Sequence, residues 1–249
     1  MEKGASIGKI TLLGTGTCQL QVERMASSVL IDLPGLRLLF DIGRGVTLRL
    51  SQLGIKQNEI ENIIISHFHP DHISDLIPYF HAARWSRIDK RTKDIHLFGP
   101  RGLQSTMDKI FAVARKEAPP NERFNIDIHE VASESLMIKN YSFDFIHLPP
   151  VENHGLRFAF NDKMYAITGD SAFHEQESSF LKNVDLAIVD AGHITDEELV
   201  KLSVKSGVKR LVASHLYREI DGVKINRLAL KNGYMGKIII GQDLMEFTI

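Results

Sequence analysis

The sequence predicts a mixed α/β fold, and three observations carry that prediction. Short apolar runs rich in Ile, Val, Leu and Phe recur from one end of the chain to the other, each flanked by Gly, Asp, Asn or Pro, which favours strands over helices. The earliest runs follow one another directly, whereas helix-period stretches separate the later ones. At 249 residues the chain is long enough to bury a large core without disulfides or a structural metal. No linker, repeat or low-complexity segment interrupts it, so residues 1–249 are expected to form one domain.

Taken in order, the first strands are expected at 9–14 (KITLLG), 27–33 (SSVLIDL, stopped by Pro34) and 36–43 (LRLLFDIG). Next come 62–67 (NIIISH) and 94–99 (DIHLFG, stopped by Pro100). The run 141–148 (YSFDFIHL) ends at a double proline, and 164–170 (MYAITGD), 185–190 (DLAIVD), 209–215 (KRLVASH) and 236–241 (GKIIIG) complete the set. Helices are expected at 44–53, 72–85, 101–117, 196–206 and 218–231. The stretch 196–206 carries the strongest signal: Thr195 with Glu198 three residues on makes a capping box, and Gly207 suits the helix end.

Composition removes several functions. Lys plus Arg total 30 against 31 Asp plus Glu, a net charge of −1 that gives no general argument for wrapping nucleic acid. The single cysteine, Cys18, excludes an internal disulfide and an all-thiolate zinc site, and fits a reducing compartment. No segment approaches the roughly 20 apolar residues of a membrane span, and the start lacks a signal-type apolar stretch, so the expectation is a cytoplasmic protein with no membrane partner.

The stretch SHFHPDH at 66–72 places three histidines and an aspartate directly behind three isoleucines. His67 and His69 are two apart, so on an extended chain they share a face and can share a cation. Asp71 and His72 follow the turn at Pro70 and can reach a second cation beside the first. Four ligands do not complete two sites, so other strand ends must contribute. Asp170 ends MYAITGD behind Gly169, His215 ends KRLVASH, and His154 follows the double proline. His147 rivals His154, although its place in an apolar strand reads as a core histidine; His81, His96, His129 and His174 read as surface or structural. The segment 83–93 (ARWSRIDKRTK) interleaves basic residues with Trp85 and reads either as a solvated helix end or as a phosphate-contacting surface.

The H-x-H-x-D-H run, a later lone His, TGDS at 168–171 and a final S-H at a strand end together resemble the metallo-β-lactamase superfamily. With LLGTGT at 12–17, LLFDIGRG at 38–45, FGPRGL at 98–103 and GVKRLVASH at 207–215, the chain looks like the ribonuclease Z (tRNA 3'-processing) branch over essentially its whole length. The resemblance implies a four-layer αββα sandwich with a dinuclear metal site at one edge of the two sheets. It implies that His67, His69 and His154 bind one divalent ion, that Asp71, His72 and His215 bind the other, and that Asp170 bridges them. His193, in AGHIT, resembles the family's H-S-T element and would protonate the leaving group, with Ile194 in place of the serine; Ser171 beside Asp170 would contact substrate. A homodimer is also implied.

Two such cations would lower the pKa of a shared water toward neutrality and supply hydroxide as nucleophile, with Asp71 helping to orient it. The all-N/O donor set suits Zn2+, and Mn2+ or Fe2+ are compatible. The expected activity is therefore a phosphodiesterase of ribonuclease Z-like type. Its alternative is a small-molecule hydrolase acting on a cyclic nucleotide, aryl sulfate or other ester. A di-iron oxidoreductase would need carboxylates in place of particular histidines and an attached electron donor. One feature departs from the branch: ribonuclease Z enzymes carry a basic, glycine-rich arm for tRNA between the third histidine and the bridging aspartate. Only residues 155–169 separate these here, room for a hairpin and nothing more.

Overall fold

In the computed structural model, which describes residues 7–114 and 124–249, the strands in chain order begin with β1 (Lys9–Gly14), β2 (Ser28–Leu33), β3 (Leu36–Phe40), β4 (Asn62–Ile64) and β5 (Ile95–Gly99). They continue with β6 (Ile126–Glu130), β7 (Glu134–Ile138), β8 (Tyr141–His147), β9 (His154–Phe160) and β10 (Lys163–Ile167). The last are β11 (Leu186–Asp190), β12 (Arg210–Ser214), β13 (Lys237–Ile240) and β14 (Glu246–Thr248). The helices are α1 (Val46–Gln52), α2 (Pro70–Ile73), α3 (Leu76–Trp85), α4 (Leu103–Ala114), α5 (Glu175–Phe180), α6 (Asp196–Ser206) and α7 (Gly222–Lys231).

Two seven-stranded sheets result, ordered β14-β1-β2-β3-β4-β5-β6 and β13-β12-β11-β10-β9-β8-β7. Each is parallel where helices join its strands, β3 to β6 in the first sheet and β10 to β13 in the second, and antiparallel elsewhere, including the pairing of the last strand β14 with the first, β1. Side-chain alternation then sorts the apolar residues into three layers. Leu38 and Phe40 face the second sheet and meet Phe143, Phe145 and Phe158, while Leu39 between them faces outward onto Val46 of α1 and Tyr79 and Phe80 of α3. On the other side Ala187, Val189 and Leu211 pack under Leu199 and Leu202 of α6 and Ile225 of α7. Parallel strands covered on both faces read as continuous apolar runs, which is why LAIVD is buried at every position. The architecture is the expected αββα sandwich.

The differences from the expected elements have local causes. The expected helix 72–85 is broken at Asp75, whose carboxylate accepts from Gly45 N, Thr47 N and Thr47 Oγ1 at 2.7 to 3.1 Å and so ties the start of α1 to the α2–α3 junction. The expected helix 218–231 begins only at Gly222, because Asp221 caps the Val223 and Lys224 amides. Residues 115–117 of the expected helix 101–117 lie outside the described residues. α6 matches its expected bounds, with the Thr195–Glu198 box formed and Gly207 at φ 63°. The edge strands β6, β7 and β14 and the six-residue α5 were not expected, each too short or too polar for a period to show, and neither was the central strand β9, whose run HGLRFAF is broken by Arg157. β9 begins at His154 itself, so this residue opens a strand rather than closing a loop.

Candidate metal centre

Asp41, the first residue after β3, holds a left-handed backbone (φ 60°) and is fully buried. Its carboxylate accepts from Ser66 N (2.7 Å), Ser66 Oγ (2.8 Å) and the Nδ1 of His72 (2.7 Å). With Nδ1 committed, the other nitrogen of His72 is presented inward, 3.0 Å from Asp170 Oδ1. The turn at Pro70, which opens α2 with His69 as its N-cap, swings Asp71 and His72 onto the first helical turn. His67 leaves the end of β4 with Nδ1 3.0 Å from Ser66 Oγ and Nε2 3.5 Å from Asp170 Oδ2. The rings of His67 and His69 lie 4.5 Å apart.

The second sheet brings the remaining groups. His154 N donates to Ser66 O (3.0 Å), a link between the sheets that sets this buried histidine against the His67 loop. Asp170 lies three residues past β10, behind Gly169 at φ 63°. A Cβ at Gly169 would lie 2.2 Å from Asn153 Oδ1, so only glycine fits. His215, one residue past β12 and also left-handed (φ 54°), points Nε2 at Asp71 Oδ2 (3.3 Å) and Asp170 Oδ1 (3.4 Å). Among the described residues donor atoms thereby gather within 4.8 Å of one another in three groups, His67 with His69 and Asp170, Asp71 with His72 and His215, and Asp170 with Asp190, His193 and His215, while His154, expected beside His67 and His69, falls in none of them. The two oxygens of Asp170 face the first two groups separately, Oδ2 toward His67 and Oδ1 toward His72 and His215.

His67 Nε2, His72 Nε2, His154 Nδ1 and Asp170 Oδ1 are buried with no hydrogen-bond partner. Buried polar atoms left unpaired cost roughly 1–3 kcal/mol each, and a divalent cation beside Asp170 would remove that cost for His67 Nε2 and His72 Nε2, which lie 3.5 and 3.0 Å from its oxygens. Nitrogen and oxygen donors at this spacing therefore fit a metal pair. The electrostatics of the metal-free centre separate the histidines: burial lowers His72 and His215, but Asp41 and Asp170 raise the first and Asp190 and Asp71 the second, so both gain protons that a cation would displace. Burial, followed by the charge of His72, pushes the His67 imidazole down to about 3, leaving a neutral ring with a free lone pair. Burial alone would raise Asp170, but His72, His215 and His67 hold it well below the usual carboxylate range.

Beside this pair, Asp190 Oδ2 takes Nδ1 of His193 at 2.6 Å and the amide of Ser171 at 3.0 Å, while Asp190 Oδ1 lies 3.4 Å from His215 Nδ1. The hydrogen bond to Asp190 raises the His193 pKa, and the imidazole is half exposed. Ser171 is buried, its Oγ 3.3 Å from His174 Nε2. Asp41 and Asp190 were missed as site residues in the sequence, although both stand at strand ends, the criterion that picked out Asp170 and His215. His147 is not in the core: its side chain is 40% exposed and Nε2 meets Val151 O at 3.1 Å. Arg91, expected in a solvated or phosphate-contacting segment, is fully buried. It donates to the carbonyls of Gln57, Ile60, Lys93 and Asp94.

The sequence profile of the family described as "Anti-Pycsar protein Apyc1" matches residues 8–210. The chain belongs to the Apyc1 family. Ribonuclease Z of Picrophilus torridus is 28% identical to this Apyc1-family chain, with 98% of this chain and 97% of that one covered. Ribonuclease Z of Mycobacterium sp. (strain KMS) is 25% identical over 85% of this chain and 74% of its own. Among solved structures, the metallo-β-lactamase fold protein YhfI from Bacillus subtilis has a TM-score of 0.82 at 20% identity, covering 98% of this chain and all of that one. Human tRNase Z, short form, has a TM-score of 0.74 at 20% identity, covering 96% and 98%. The fold is thus the metallo-β-lactamase fold, and the Apyc1-family chain is a ribonuclease Z-like, metal-dependent hydrolase.

Proposed function

We propose that this Apyc1-family chain hydrolyses phosphodiesters at a centre where His67, His69 and His154 hold one divalent cation, Asp71, His72 and His215 hold the other, and Asp170 joins them. The observation that carries the reading is the split of Asp170, one oxygen toward each histidine group. Bound there, two cations would supply an ionised water and a positive clamp for an anionic diester. Asp71, with an oxygen 3.3 Å from His215, is placed to orient the attacking water. Asp190 holds His193 by Nδ1, which leaves Nε2 to give a proton to the departing oxygen. Ser171 takes part by its amide, which helps fix Asp190.

The nitrogen and oxygen donors support zinc, with Mn2+ and Fe2+ as the alternatives. Between His154 and Asp170 the chain forms only the β9–β10 hairpin, closed at Asn161 and Asp162, both at positive φ. With no arm to grip RNA at that position, a compact diester is favoured over tRNA. No described helix is long and apolar enough to cross a membrane, and the exposed free Cys18 supports a reducing, cytoplasmic setting. A homodimer, implied by the resemblance alone, is to be read by light scattering.

Elemental analysis of purified protein should return two equivalents of transition metal per chain. Asp170→Ala should lose at least one equivalent and lower diester cleavage more than 100-fold. Retention of both activity and metal in that variant would refute the assignment. Comparing bis(4-nitrophenyl) phosphate, an aryl sulfate and precursor tRNA identifies the ester class, and trailer removal from the tRNA would count against the compact-diester reading.

A further inference from the structure

A cleft of about 490 Å3 opens beside His193, lined by Gly192, Ile194, Thr195, Asp196, Glu197 and Arg218. His193, the proposed proton donor, is one of the residues that line it, so this cleft is open space bordering the donor. The charges along it are unequally satisfied. Arg218 spends its guanidinium on Ala191 O (2.7 Å) and Asp196 Oδ1 (2.6 Å), so Asp196 is neutralised. Glu198 is turned back onto the Thr195 amide at 2.8 Å in the capping box. Glu197, exposed on the first turn of α6, has neither a hydrogen bond nor an ion pair among the described residues. The helix N-terminus adds only about half a positive charge, less than the two carboxylates of Glu197 and Glu198. The metal centre therefore draws an anionic phosphoryl group while the adjoining cleft repels negative charge.

We infer that this cleft is the leaving-group subsite and that Glu197 makes it select a leaving alcohol with no negative charge of its own, an inference that rests on the phosphodiesterase reading above. Hydrolysis forms one P–O bond to the water oxygen and breaks the P–O bond to the alcohol. The water gives one proton to solvent, and His193 gives one to the alcohol oxygen and regains it from solvent. A polynucleotide leaving strand carries a phosphate at every nucleotide, about 3.4 Å apart along the axis in duplex form, and would bring further negative charge against Glu197. The substrate class is thus a diester whose leaving side is a single uncharged aryl or sugar hydroxyl group.

The test uses the metal-loaded full chain and two chromogenic diesters that differ only in the leaving group, ethyl 4-nitrophenyl phosphate and ethyl 3-carboxy-4-nitrophenyl phosphate. The quantity read is the ratio of kcat/KM, neutral over carboxylated, in wild type, Glu197→Gln and Glu197→Lys. A unit charge in a partly solvated cleft predicts that the ratio falls about three- to tenfold in Glu197→Gln and further in Glu197→Lys, mainly through KM. The spread between the proteins should shrink in high salt. An unchanged ratio in both variants, with both diesters cleaved, overturns the subsite and leaves the phosphodiesterase reading standing. Failure of the wild type to cleave either diester overturns both.

Discussion

Asp41 shows how much of the centre depends on a side chain that touches no substrate. Its carboxylate fixes the His72 tautomer, the Ser66 amide and the Ser66 hydroxyl together. Asparagine tolerates the left-handed backbone there and keeps the shape, but removes the charge. Asp41→Asn should therefore weaken metal affinity about 10- to 100-fold in a chelator competition while the protein stays folded. A second buried carboxyl, Glu177 in α5, behaves differently. Burial, reinforced by the charge of Asp190, pushes its pKa up to about 8 from an ordinary value of 4.5. The folded state thus holds a proton that the unfolded state has lost between those values, so this group's contribution to stability falls as pH rises from about 4.5 to 8. Glu177→Gln should match wild type near pH 4.5 and gain on it at roughly 1.4 kcal/mol per pH unit up to about pH 8, at most a few kcal/mol. Urea denaturation of both proteins at pH 5 and pH 8 reads this; a constant difference would show the carboxyl to be ionised throughout.

At the scale of elements, the parts are joined by polar side chains at their ends rather than by propensity alone. Asp75 ties α1 to the α2–α3 junction, and Asp243 takes Thr15 N (2.9 Å), Met25 N (2.7 Å) and Arg49 Nη2 (2.9 Å), binding the β1 exit to α1. Arg91 does the same for the turn at 57–60 and the entry to β5, with four carbonyls and the Tyr79 hydroxyl around its guanidinium. Arg91→Met leaves those buried carbonyls without donors and should destabilise by about 3 kcal/mol or more in urea. The loss should be in stability, with kcat/KM for a small diester changed less than twofold once the protein is folded. A selective loss of substrate affinity would instead restore the phosphate-contacting reading of residues 83–93.

For the whole molecule, the proposed centre draws on both sheets: His67, His69, Asp71 and His72 follow β4 of the first, and His154, Asp170 and His215 come from β9, β10 and β12 of the second. Metal bound there would link the two layers, so its removal should lower the stability of the entire sandwich. Saturation at 100 times Kd contributes about 2.7 kcal/mol per site. Chelation should thus lower Tm by several degrees, and two equivalents of Zn2+ should restore it. An unchanged Tm would place the metal outside the inter-sheet seam.

Much of this was legible in the residues. Ten apolar runs became strands because period and flanking breakers are local properties, and α6 kept its bounds because both of its caps are written into the chain. The histidine-rich loop was legible because three histidines and an aspartate fall within six positions. Edge strands with half their residues in water, and the six-residue α5, carry no such period. Sequence by itself determined the mixed α/β class and the run of cation-competent side chains behind β4, while the four-layer order was implied by the resemblance. Only the tertiary structure decided that Asp170 presents one oxygen to each histidine group, that Asp41 and Asp190 orient the imidazoles, and that Arg91 is buried. The physical reason is that a side chain's partners across a sheet or loop depend on backbone turns many residues apart, which no local pattern encodes.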